Sequence, residues 1–314
     1  MTSPRRIAIS RRLAHGMVVD GPATAGDLAV WLASIGAVAT SYPRRDGVSP
    51  IDLFAMSESD YAVMLPRDLL PLTGRDRLAL LHPTMDRLKD TQIKLLSLGK
   101  RSFPALLDYE AMEVVAQAEG GSGTPGTCAV KWLGRPPVRT NETAGMRMPG
   151  WILAEAHVDN DEGLDRYGKT LPPSVLLDLD VLAGFRSKYA LMLYVRAQAW
   201  LSGWVKLPSG WSRRFVSPGR VELRVPVPDA SMLLGIEGLK RKDDIERLAF
   251  KPSLKELRDA GINVAIDWIR LPGYERVYSH LSVTVAHSNR AETAAPAPKR
   301  PRKVKLSPRV ARAA

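Results

Sequence analysis

One cysteine, Cys128, serves the whole 314-residue chain. It can close no internal disulfide and can build no zinc site alone, so the expected setting is reducing and cytoplasmic. No apolar run approaches the length of a membrane span. The five histidines are scattered, with no His-x-His or His-x-x-x-His pair, which leaves metal-dependent chemistry without ligands. The glycine-rich run at 119–127 lacks the Gly-Lys-Ser/Thr ending that cradles phosphate and reads as a linker. Asp159, Asp161 and Glu162 fail the calcium-loop spacing, because the Gly comes one position early and no Glu stands at the twelfth. No local Ser-His-Asp or Cys-His signature is present. Nothing here argues for catalysis, and neither cofactor nor metal is expected.

Acidic residues are also in short supply, 33 Asp and Glu against 45 Lys and Arg, for a formal net charge of +12. That balance asks for a polyanionic partner, nucleic acid before an acidic membrane surface. With 45% hydrophobic residues the chain can bury a core in each of two ordinary domains. Residues 1–22 are rich in Arg, lack the apolar core of a secretory signal and read as a basic leader.

The chain is organised around residues 247–263. At helical spacing Phe250, Leu254 and Leu257 form one stripe, and Arg247, Lys251, Lys255 and Arg258 form another. A solvated helix face would look the same in isolation. Its neighbours say more: a short helix with a Gly turn precedes it at 228–236. After it, alternation at 263–270 (Val264, Ile266, Trp268), a Leu-Pro-Gly-Tyr turn and a return at 281–285 describe a β-hairpin. Helix, turn, basic helix and hairpin is the order of a winged helix-turn-helix.

The same pattern stands 169 residues earlier, with Pro83 on Pro252, Thr84 on Ser253, Met85 on Leu254, Leu88 on Leu257, Lys89 on Arg258 and Ile93 on Ile262. A proline must kink a helix or sit in its first turn, so its recurrence supports a duplication. The matching outward stripe, Leu78, His82, Asp86 and Lys89, is poorer in charge and is expected to bind more weakly.

The rest follows in order. Thr24 caps a helix carrying Leu28, Trp31, Leu32 and Ile35 that Gly36 stops. A strand is expected at 61–65, a short helix at 66–72 and the first motif helix at 75–89. A first wing begins at 93–96 and is interrupted by an insert at 100–150 with a helical piece (Phe103, Leu106, Met112, Val115); a return strand follows at 151–156. Leu171-Pro172-Pro173 marks a boundary. Ser187 caps a one-sided helix through Ala190, Leu193, Tyr194, Ala197 and Leu201, closed by Gly203; residues 206–220 read as a basic loop and 221–225 as a strand. From 289 onward eight cations face Glu292 alone, and the segment has too few core-formers to fold.

Phe185-Arg186-Ser187-Lys188-Tyr189-Ala190-Leu191-Met192-Leu193-Tyr194, then Leu233-Leu234-Gly235-Ile236, then Phe250-Lys251-Pro252-Ser253-Leu254-Lys255-Glu256-Leu257 resemble the plasmid replication initiator family that binds iterons. Its members carry a Ser-Lys-Tyr-Ala-x-x-Leu-Tyr helix, a Leu-Gly-Ile turn and a Pro-Ala-x-x-Glu-Ile helix. The resemblance is good over 151–285, fainter over 25–96 and absent in both tails. It implies an α+β chain of two tandem winged-helix domains, placed here at 23–170 and 171–288; the basic tail at 289–314, expected to be disordered from its composition, lies outside it. It further implies binding to direct repeats in double-stranded DNA at a replication origin, recruitment of host helicase or polymerase factors, and self-repression as a homodimer. The insert and the replacements Ser253 and Leu257 depart from the family pattern. A transcriptional regulator or phage DNA-binding protein on the same scaffold stays open. The candidate DNA contacts are Arg247, Lys251, Lys255 and Arg258, with Lys240, Arg241 and Lys242 before them and Arg270 and Arg276 on the hairpin. In the first copy they are Arg75, Arg77, His82 and Lys89.

Overall fold

The structure, a computed structural model, describes residues 6–41, 61–64, 81–95, 102–115, 129–138, 142–149, 174–203, 207–235, 241–274 and 277–288. The expected helix at 66–72, Arg75, Arg77, Leu78, the return strand at 151–156, the boundary at 171–173, Lys240, Arg276 and the tail lie outside the described residues.

From Arg6 on, the expected leader is instead part of the fold. Arg6–Ser10 forms β1, Arg11–Gly16 α1 and Met17–Asp20 β2. Ile7, Ile9, Leu13, Met17 and Val19 are buried at strand and helix spacing, a pattern that the arginines between them obscured. Strand β1 pairs antiparallel with β9 (Ser174–Asp178), Arg6 opposite Asp178 and Ser10 opposite Ser174. The described core is one cluster running from Ile7 to Val285.

Helix α2 (Ala25–Ser41) starts at a reciprocal cap. The Thr24 N–H donates to the Asp27 carboxylate at 2.8 Å, and the Asp27 N–H donates to the Thr24 hydroxyl at 3.3 Å. Gly36 does not stop this helix. An interior glycine costs about 1 kcal/mol, which burial of Trp31, Leu32 and Ile35 in the preceding turns outweighs. After β3 (Tyr61–Met64) come α3 (His82–Lys89), β4 (Gln92–Leu95) and β5 (Ser102–Pro104), with strand order β2-β4-β5.

Within the insert the expected helical piece is β-structure: β6 (Asp108–Val115), β7 (Ala129–Trp132) and β8 (Thr143–Met148) assemble with β3 in the order β3-β8-β6-β7. The apparent helical spacing drew Phe103 and Met112 from two different strands. Pairing of Asp108–Met112 with 143–147 decided the conformation, an interaction local spacing cannot report.

Helix α4 (Leu179–Gly184) leads to α5 (Lys188–Ser202), capped as expected by the Ser187 hydroxyl, which accepts from the Ala190 N–H. Unlike the one-sided reading, α5 is buried on nearly every face, Ala190 through Ala197 included, because α1 and α2 cover one side and the helix at 251–259, with the strands at 220–226 and 278–287, covers another. Residues 212–217 are a strand, β10 (Ser212–Ser217), not a loop; its charged, exposed side chains suit an edge. Strand β11 (Arg220–Pro226), a 3₁₀ turn (Val227–Asp229) and α6 (Ala230–Leu233) follow. The basic helix comprises α7 (Lys242–Asp244), a π turn (Ile245–Phe250) and α8 (Lys251–Asp259). Strands β12 (Ile262–Arg270) and β13 (Tyr278–His287) complete the sheet, order β10-β11-β13-β12.

Burial reproduces the repeat at most matched positions, the exception among the apolar ones being Met85, buried, against Leu254, half-buried. Pro83 and Pro252 sit exposed in the first turns of α3 and α8; Thr84 and Ser253, Leu88 and Leu257, and Ile93 and Ile262 are buried; Lys89 and Arg258 are exposed. In the second copy the turn entering Pro252 is widened, the Lys251 N–H bonding the Glu246 carbonyl, which gives the proline ring room. The sheets differ, since β4 is central in one and β13 in the other.

The N-terminal segment meets the second half at Gly235. Its carbonyl accepts from the Val19 N–H at 2.8 Å, and the Arg196 guanidinium donates to the Met17 carbonyl at 2.7 Å. Gly235 lies at φ +64°, and a Cβ there would stand 2.8 Å from Met192 Cε, 3.0 Å from Arg196 Nε and 3.2 Å from the Met17 carbonyl oxygen. Gly235→Ala is therefore expected to destabilise the chain by about 3 kcal/mol, from left-handed backbone strain plus overpacking, measured by urea unfolding. A loss under about 0.5 kcal/mol would mean this junction is loose.

Candidate nucleic-acid interface

Helix α8 buries Ser253 and Leu257 and, with the preceding turn, Phe250. Opposite them Lys251, Lys255 and Arg258, at i, i+4 and i+7, are exposed and make no ion pair among the described residues. The acid that could have neutralised this face is turned away. Glu256 accepts from the Arg186 N–H at 2.9 Å and the Ser187 N–H at 3.2 Å, at the start of α5, where a carboxylate also complements the helix dipole. It is thereby drawn off the cationic stripe, beside which exposed Asp259 remains, and it ties the helix to the body. Glu256→Ala is expected to cost about 1–2 kcal/mol with Glu256→Gln losing less, read by thermal or denaturant melts. A melt unchanged in Glu256→Ala would show that α8 is held by apolar packing alone.

The remaining candidates are divided. Arg247 is exposed but pairs with Asp244 at 3.3 Å. Arg241 is exposed at the start of α7, and Arg270 at the far end of β12. Lys242 is engaged by the hairpin: its ammonium donates to the Tyr278 hydroxyl at 3.0 Å, pairs with Glu246 at 3.7 Å and lies over the Tyr278 ring at 4.2 Å.

Among the described residues the first copy presents no comparable face. His82 Nε2 is bonded to the Pro137 carbonyl oxygen at 2.9 Å, with its ring edge-on to Tyr109. Lys89 is held by Asp108 at 2.5 Å, and that hydrogen bond keeps the Asp108 carboxyl below its ordinary range. Arg87 makes a bidentate pair with buried Asp27 at 2.7 and 2.8 Å. Burial would raise the Asp27 carboxyl, but the bonds from Arg87 and Thr24 bring it below its ordinary value. The expected weak contribution of this helix is thus withdrawn further, because its partners come from residues distant in sequence.

Positions 87 and 256 are equivalents in the two copies, and both reach the N-terminus of the helix beneath: Arg87 through Asp27 at the start of α2, Glu256 directly at the start of α5. Sequence reading passed over both. Their only signal is the shared offset between the copies, since the signs of charge are opposite. Among the described residues no group of three His, Cys, Asp or Glu is placed to hold a metal ion, and no helix is long and apolar enough to cross a membrane.

No model of a known protein family matches the chain. No curated protein matches it. Among solved structures it is similar to the Pi initiator protein, in a crystal structure of that protein in complex with iteron DNA, with TM-score 0.43 and 12% identity, covering 87% of this chain and 98% of that one.

Proposed function

We propose that this chain is a non-enzymatic, sequence-specific binder of double-stranded DNA that initiates replication from direct repeats, with α8 as its chief major-groove reader. The observation that carries the reading is the unpaired stripe of Lys251, Lys255 and Arg258 on a helix whose opposite face is buried. A short helix and turn precede it and a hairpin follows, the parts of a winged helix. The net charge of +12 supports the same partner. In this reading the unit of β2, α2, α3, β4 and β5 is a second, degenerate winged helix whose basic face has been neutralised. It serves in contacts with a second copy or with host helicase or polymerase factors.

The test begins with duplexes selected from a random pool by the full chain and footprinted at known stoichiometry. Recovery of a non-palindromic element, protected by one molecule and able as a head-to-tail array to support replication of a plasmid only when this chain is supplied, is the expected result. A two-fold symmetric element occupied only by a dimer, with no replication, would instead make the protein a regulator. Failure to select any duplex would remove DNA recognition altogether.

A further inference from the structure

The hairpin that follows the basic helix extends past the core. Its near half is anchored by Ile262, Leu281, Val283 and Val285, all buried, whereas Ile269, Leu271, Tyr274 and Val277 toward its tip are exposed. At the start of the exposed part stand Trp268 on β12 and Tyr278 on β13, edge to face with ring centroids 5.9 Å apart. Lys242 reaches them from α7: its ammonium sits 4.2 Å from the Tyr278 ring centroid and 5.5 Å from that of Trp268, and donates to the Tyr278 hydroxyl at 3.0 Å. Glu246, one turn on, holds the same ammonium at 3.7 Å. A cation shared by two ring faces, a phenol and a carboxylate has used its donors and cannot also serve a phosphate without giving them up.

We propose that Lys242 is a positioning residue, a brace that fixes the angle between the basic helix and the hairpin so that both engage the duplex in one register. It is not itself a DNA contact. The proposal rests on the DNA-binding reading for its consequence, but the brace can be measured without DNA. The Lys242 hydrogen bond, then that of Arg270, draws the Tyr278 phenol below its ordinary range, and the Tyr278 bond raises the Lys242 ammonium.

Three full-length variants test it: Lys242→Met, which keeps the stem and drops the charge, Lys242→Arg, which keeps a cation over the rings, and Tyr278→Phe. Without DNA, absorbance titration of the eight tyrosines should show one phenol moving upward in Lys242→Met, and amide exchange should quicken at 268–270 and 278–280 with the melting temperature little changed. An unmoved phenol and unaltered exchange would overturn the brace even if no duplex is ever bound. With a duplex selected by the wild-type chain, Lys242→Met and Tyr278→Phe should bind about fivefold more weakly, an effect of cation–π size, and lose hydroxyl-radical protection on the hairpin side only. Lys242→Arg should restore that protection. If Lys242→Met keeps the full footprint and loses one phosphate's worth of salt dependence, about 0.9 in slope, Lys242 touches the backbone and the proposal is wrong. Should Lys242→Met fail to fold, Tyr278→Phe against Lys242→Arg carries the same comparison.

Discussion

Between pH 6.5 and about 3 the stability of this protein is expected to fall steadily, because His15 is held neutral in the folded chain and protonates freely once unfolded. The imidazole is buried against Trp200 and Trp211, and its Nδ1 accepts from the Trp200 indole N–H at 2.9 Å, leaving no lone pair there for a proton. Burial first, then the charges of Arg196 and Arg213, push its pKa down to about 3. Both arginines are themselves lowered, to about 9 and about 10, and so stay cationic throughout this window. The sign follows from proton counting. Below pH 6.5 the unfolded chain binds a proton the native chain refuses, so acid favours unfolding by about 1.4 kcal/mol per pH unit, or roughly 2–3 kcal/mol by pH 4.5. The loss ends near the folded pKa. Asp27, depressed rather than raised by its partners, contributes stability that is lost only lower, as the pH falls below the ordinary carboxylate range. Denaturant melts at half-unit pH steps separate the two. His15→Gln, which keeps an acceptor for Trp200, should flatten the upper limb and leave the lower one. A wild-type profile flat from pH 6.5 to 4.5 would place His15 in contact with water.

What the sequence made legible was periodic and local. The Thr24 and Ser187 caps, the buried Phe250 and Leu257 opposite the exposed Lys251, Lys255 and Arg258, the Gly235 turn and the hairpin expected at 263–270 and 281–285 follow from spacing over a few residues; Leu254 is only half-buried and the return strand begins earlier, at Tyr278. What escaped was decided through space. The 6–20 segment is basic in composition yet has strand β1 because β9 lies beside it, 168 residues away. Residues 108–115 carry a false helical spacing that pairing with β8 overrides. The same limit applies to charge. Counting cations on a stripe gave Lys89 and Arg258 the same sign, but Lys89 is tied to Asp108, whereas Arg258 has no ion-pair partner among the described residues. The partners of Lys242 were hidden for the same reason, its aromatic neighbours lying on the hairpin rather than on its own helix.

That difference between the copies leads to the largest effect expected on binding. Replacing Lys251, Lys255 and Arg258 together by alanine should weaken the selected duplex about 150-fold, taking three contacts at the low end of 1–3 kcal/mol each. If all three neutralise phosphates, the salt dependence should also flatten by about 2.7 in slope. The fold should hold, because these side chains are exposed and have no partner among the described residues, and alanine is the better helix former. Single substitutions divide the roles: one that relaxes discrimination at a single base pair reads an edge, and one that weakens every sequence alike holds a phosphate. Lys89→Ala is the matched control in the other copy. Its ammonium is tied to Asp108, so it should leave affinity within about twofold and the footprint unchanged. Equal losses from Lys89→Ala and Arg258→Ala would mean that the Asp108 pair opens on DNA and that both copies read the duplex. Wild-type affinity in the triple variant would remove α8 from the interface, and with it the reading of this chain as a helix-in-groove DNA binder.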